Sequence, residues 1–115
     1  MATATDIARL LVRLAASDPE GEPMTPMRLQ KLLYYCQGWF LAWYGKPLFP
    51  DRIEAWEHGP VVPSVRSNEW ARGNGPIPDQ GEPEVPEAIR EAVEQVWREF
   101  GEFSAAGLRH RTHQE

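Results

Sequence analysis

The feature that most constrains this chain is the stretch at residues 25–45, T-PMRLQKLLYYCQGWFLAWY-G. Thr25 suits a helix N-cap, because its hydroxyl can accept an orphan backbone N–H of the first turn. Pro26 follows at the first helical position, where a missing N–H costs nothing. Gly45 ends the run and tolerates the left-handed conformation that closes many helices. Roughly nineteen residues lie between these signals, about 28 Å of helix. Leu29, Leu32, Leu33, Cys36, Phe40 and Trp43 recur at three- and four-residue steps as one apolar face. Tyr34, Leu41 and Tyr44 carry the apolar surface round the cylinder. Arg28, Gln30, Lys31, Gln37 and the mid-helix Gly38 argue against a membrane span. The stretch is expected to be a central, buried helix that the other segments wrap. Gly38 and Ala42 would form a flat strip on it, against which another backbone packs.

A chain of 115 residues is expected to form one domain, residues 1–115, with five Trp, four Phe and three Tyr to fill its core. The lone Cys36 excludes an internal disulfide and reads as a small core residue in a reducing compartment. Arg9 and Arg13 interrupt the first apolar run, so no signal peptide is read and a cytoplasmic location is expected. The net charge of −5 is uneven: residues 79–102 hold eight acidic and two basic residues, a net −6, and the remainder is +1. Such a distribution disfavours general nucleic-acid binding and suits either a solvated helix face or the steering of a basic partner protein.

Around the central helix the expected architecture is mainly α (α+β), with a small β-hairpin. Ile7, Leu10, Leu11 and Leu14 form an amphipathic stripe capped by Thr5 or Asp6 and ending near Asp18-Pro19. Large apolar residues on both sides of Pro50-Asp51-Arg52 predict a hairpin, with arms at 47–49 and 53–57, lying on the helices. His58-Gly59-Pro60 predicts a bend. Pro63 opens a short helix to about Ala71, and residues 73–86, rich in Pro and Gly, read as a long loop. Pro86 opens a surface helix, with Ile89, Val93, Val96, Trp97 and Phe100 on its inner face and Glu87, Glu91, Glu94, Gln95 and Arg98 opposite. Gly101 ends it. Ser104 would cap a last helix to about Thr112.

Catalytic and ligand motifs are sparse. His110 and His113 have a metal-compatible spacing, but no Cys or carboxylate stands beside them at a matching one. His58 has no evident nucleophile to serve, and Gly73-Asn74-Gly75-Pro76 is a turn signal and not a phosphate-binding loop. We therefore expect no enzyme, no cofactor and no metal. Gln30, Lys31, Tyr34 and Gln37 stand out as polar groups on a helix expected to be buried. They either bond to the hairpin and the Gly59-Pro60 bend or face another protein in a groove.

The run M-T-P-M-R-L-Q-K-L-L-Y-Y-C-Q-G-W-F-L-A-W-Y-G-K-P-L-F, followed by I-E-A-W-E-H-G-P-V-V-P-S-V, resembles the Panacea antitoxin domain, the family of SocA-like and phage-associated GepA-type proteins. Ser104, Leu108 and Thr112-His113 are similar to its closing pattern. The family commonly continues past Thr-His with Pro-Trp, whereas this sequence ends at Gln114-Glu115. A missing tail would leave an apolar patch for a partner or a second copy to cover. The resemblance implies a mostly helical, non-enzymatic protein that neutralises a cognate toxin encoded nearby by direct binding. One alternative it implies is an adaptor that delivers the toxin to a AAA+ protease. A DNA-binding autoregulator is the other alternative, for which the helix after Pro63 offers only Arg66 and Arg72. Trp56 and His58, from the second half of the signature, and Glu91 and Glu94, from the acidic helix, join Gln30, Lys31, Tyr34 and Gln37 as candidate partner-binding residues.

Overall fold

Helix α1 (Ala4–Ala16) starts at Thr3, two residues before the earlier of the expected caps. A capping box decides the point: Asp6 N–H donates to Thr3 Oγ1 at 3.2 Å, and Thr3 N–H donates back to Asp6 Oδ2 at 3.1 Å. Asp51 adds a tertiary cap by accepting the Ala4 N–H at 2.9 Å. Ile7, Leu10 and Leu11 are buried and Leu14 is half-buried. These positions come from a computed structural model, which describes residues 2–19, 21–57, 59–66 and 75–101.

Helix α2 (Pro26–Tyr44) has both expected caps. Thr25 Oγ1 accepts the Arg28 N–H at 3.4 Å, and Gly45, at φ 69°, donates its N–H to Leu41 O at 2.8 Å. Apart from the exposed Met27, its first turns are enclosed, so that even Arg28, Gln30 and Lys31 are buried among Leu29, Leu32 and Leu33. The enclosure stops at Phe40. Leu41, Trp43 and Tyr44, expected to be covered, are exposed, and so is Trp39. α2 has 19 residues, whereas α1 and α4, which pack on it and on each other, have 13 and 14.

The strip at Gly38 is corrected in the same way. A Cβ built on Gly38 meets nothing within 4 Å among the described residues, so none of their backbone packs there. Gly38→Ala is expected to raise stability by about 0.5–1 kcal/mol, since Gly in a helix interior costs about that much relative to Ala. Thermal unfolding followed by circular dichroism checks this, and a lowered midpoint would show that the site needs glycine.

The hairpin exists but is displaced along the chain. Strands β1 (Glu54–Trp56) and β2 (Gly59–Val61) pair antiparallel, with Glu54 opposite Val61, Ala55 opposite Pro60 and Trp56 opposite Gly59. The expected arm at 47–49 is not a strand, because the Gln37 side chain takes the backbone groups of Leu48 and Phe49. The side chains of Leu48 and Phe49 anchor that segment in the core. The expected second arm becomes the first strand, and the predicted bend at Gly59-Pro60 becomes part of the returning one.

Helix α3 (Pro63–Arg66) begins at the expected proline and packs on α1. Its predicted continuation to Ala71 lies outside the described residues, as do Arg72, His110, His113 and the predicted last helix from Ser104. Residues 75–86 are irregular, as expected, yet tethered. Ile77 donates its N–H to Met24 O at 2.7 Å, and both Ile77 and Pro83 are buried. Arg13 bridges Asp79 at 3.1 Å and Glu82 at 2.5 Å, and Arg90 also reaches Glu82. Ion pairs this exposed contribute about 0–1 kcal/mol each, so the buried Ile77 holds the loop more firmly than they do.

Helix α4 (Glu87–Phe100) buries Val93, Val96 and Phe100, with Ile89 and Trp97 half-buried, as its periodicity predicts. The fold is thus mainly α with one small hairpin. No helix among the described residues is long and apolar enough to cross a membrane.

Candidate functional site

The polar stripe of α2 turns inward. Gln30 Oε1 accepts the Val62 N–H at 2.7 Å, and its Nε2 faces Val62 O at 3.5 Å. One heptad on, Gln37 Oε1 accepts the N–H groups of Leu48 and Phe49 at 2.7 and 3.2 Å, and Nε2 donates to Phe49 O at 2.9 Å. Each glutamine therefore acts as a short surrogate strand edge, meeting a backbone that has no strand partner at that position. Of the two alternatives for this stripe, both amides take the internal one.

Lys31 is 2% exposed, with its ammonium group against Gly59. Gly59 has φ 122°, and any Cβ there would collide with Lys31 Nζ. Tyr34 is half-buried, its ring edge-on to Tyr35 at 5.7 Å. Trp56 is exposed, and its indole N–H donates to Glu54 Oε1 at 2.9 Å, while Arg52 Nε reaches Glu54 Oε2 at 2.8 Å. These two hydrogen bonds, the indole's first, hold the Glu54 carboxyl below its ordinary pKa. Gln30, Lys31 and Trp56 thus meet around the hairpin, whereas Glu91, exposed, and Glu94, half-buried, lie apart on α4. His58 lies outside the described residues.

Two further groups on α2 are internal. Burial lowers the Arg28 pKa, with Glu22 and Asp18 acting in the opposite direction. Its guanidinium donates to Glu22 O at 2.8 Å and sits 5.2 Å from the Trp97 ring centroid, a cation–π arrangement. The Cys36 thiol is enclosed, and burial pushes its pKa up, away from the thiolate that nucleophilic or metal chemistry requires. Among the described residues no three His, Cys, Asp or Glu side chains converge as a metal cage.

Among the described residues an open groove of about 260 Å³ lies between the C-terminal parts of α2 and α4. It is lined by Trp39, Trp43, Gln95, Val96, Glu99 and Phe100. Phe100 forms a rigid floor, stacked on the buried Tyr35 at 4.5 Å and 13°. Trp39 lies 6.5 Å from Phe100 and 5.9 Å from Trp43. Trp39 is 42% exposed, Trp43 39%, Leu41 49% and Tyr44 55%. Isolated exposed apolar residues such as Met27 are ordinary, but Trp39 and Trp43 stand one turn apart on the same helix face with rings 5.9 Å apart, a pair of the kind that marks an interaction surface, whereas Leu41 lies on the other side of the helix. Sequence reasoning assigned this end of α2 to the core. The periodicity carries no signal for the pair, because Trp39 and Trp43 continue the period that buries Leu32 and Cys36.

Among the described residues the body is mainly α, with an internal polar stripe on α2 and an open aromatic groove beside it. Residues 29–115 match the family described as Antitoxin SocA-like, Panacea domain, and the chain belongs to that family. It is similar to Antitoxin SocA of Caulobacter vibrioides (strain NA1000 / CB15N), with 33% identity over 115 aligned positions that take in 89% of this chain. The chain spans about 60% of the length of that curated relative. No solved structure matches it.

Proposed function

We propose that this chain is a non-catalytic antitoxin that neutralises a cognate toxin by binding it directly. Family membership supports the antitoxin role. The observation that carries direct binding is the exposed pair Trp39 and Trp43 at the groove beside α4, whose burial against a partner would supply the association energy. In this reading the exposed Trp56 and Glu91 and the half-buried Tyr34 and Glu94 are candidate contacts from the set drawn from the sequence. Gln30, Lys31 and Gln37 act by holding the hairpin and the segment at 48–49 in place.

The test is co-expression with the product of the adjacent gene. Expression of that product alone is expected to arrest growth. Adding this protein should restore growth, with the two proteins co-eluting on gel filtration and the toxin's cellular half-life unchanged. Rescue without a complex, or with a sharply shortened half-life, would favour degradation over sequestration. If no neighbouring product is toxic, or if toxicity persists on co-expression, the proposal fails.

A further inference from the structure

We infer that the groove between α2 and α4 receives an apolar side chain from a segment of the partner protein whose flanks carry Lys or Arg. This rests on the antitoxin reading for the partner's identity, but its chemistry is argued from the groove itself. Trp39, Trp43 and Phe100 present aromatic faces around a void of about 260 Å³, a volume that suits one large apolar side chain and not an extended ligand. Gln95 and Glu99 lie on the lip, and Glu91 and Glu94 lie along the same helix.

Two helix ends add to this negative field. The groove sits near the C-terminal ends of α2 and α4, the negative ends of the two helix dipoles, which favour a cation. The last turn of α2 holds no basic residue, and that of α4 holds only Arg98 against Glu99. Arg90 is drawn away from the groove by its ion pair with Glu82. A second copy of this chain would bring an equally acidic lip against this one, so like charge disfavours self-association and a cation-flanked segment is the complementary occupant.

The experiment uses the full chain and a fluorescently labelled synthetic amphipathic helix with a Leu and Trp stripe flanked by Lys, alongside a twin carrying Glu in place of every Lys. The Lys peptide is expected to bind at least ~10-fold more tightly than its twin, and to weaken as salt is raised. The double variant Trp39→Ser, Trp43→Ser should lose ~30-fold in affinity, as truncation of aromatic anchors does. Glu99→Lys should narrow the difference between the peptides. Trp39 and Trp43 are 42% and 39% exposed, so the double variant loses some packing, and a melting curve with its midpoint well above the assay temperature serves as the folding control.

Equal binding of the two peptides, or unchanged affinity in the double variant, would overturn the inference. So would a concentration-dependent dimer in sedimentation that the double variant abolishes, which assigns the groove to a second copy. Peptide binding seen only after removal of residues 102–115 would assign the groove to this chain itself and likewise overturn it. Growth assays separate this inference from the antitoxin reading. If the double variant rescues growth as well as wild type does, the groove is excluded and the antitoxin role stands. If wild type fails to rescue but discriminates the peptides, the antitoxin role is excluded and the groove stands.

Discussion

Gln37→Leu is expected to destabilise the fold by about 2–4 kcal/mol, although the two side chains are similar in size. Gln37 makes three hydrogen bonds to the backbone of residues 48–49. Leucine would leave two N–H groups and one carbonyl without a partner. A polar group stranded in a buried site costs about 1–3 kcal/mol, and partial exposure at Gln37 lets water recover some of it. The loss spreads beyond the hydrogen bonds because they hold Phe49, whose side chain is 0% exposed, in register with the core. Urea unfolding at equilibrium measures the effect. Gln37→Glu keeps the acceptors for the two N–H groups but sets a carboxylate oxygen against Phe49 O, so its loss should be intermediate. Equal losses in the two variants would show that packing and not hydrogen bonding is at stake.

Gly59→Ala is expected to cost about 3 kcal/mol, which lowers the melting midpoint by roughly 10 °C in a domain of this size. Two costs combine. At φ 122° a side chain is strained wherever it points, typically by about 1–3 kcal/mol. The new methyl group would also displace Lys31 Nζ, which lies in a buried position with little room to retreat. The two contributions separate in a double-mutant cycle with Lys31→Ala. If the collision matters, the double variant costs less than the sum of the singles, because the methyl group then finds free space. Strict additivity would assign the whole effect to backbone strain.

Both positions stand out in the sequence, but for different reasons than the structure reveals. Gln30 and Gln37 are conspicuous as amides on a greasy helix. That they bind Val62 and Leu48-Phe49 depends on which segments return to α2, a non-local fact that periodicity does not encode. Gly59-Pro60 reads as a bend from residue type alone, whereas its placement within a strand follows from Trp56 pairing across to Gly59. The hairpin was legible as an element and misplaced in register, because Leu48 and Phe49 have strand-like composition while their backbone is held by a side chain. The exposure of Leu41, Trp43 and Tyr44 was not legible, because the sequence shows them only as apolar surface.

What the sequence determined alone is the set of local choices: the Thr25, Pro26 and Gly45 boundaries of α2, the inner stripes of α1 and α4, the proline start of α3 and the motif that carries family membership. These depend on residues within a few positions of one another, where capping, φ restriction and helical period act directly. The tertiary structure decided which apolar residues are covered and which polar ones are satisfied. Helix period reports which side chains share a face, but burial depends on what packs against that face. In this chain Trp39 and Trp43 stay about two-fifths exposed although they continue the period that buries Leu32, Cys36 and Phe40.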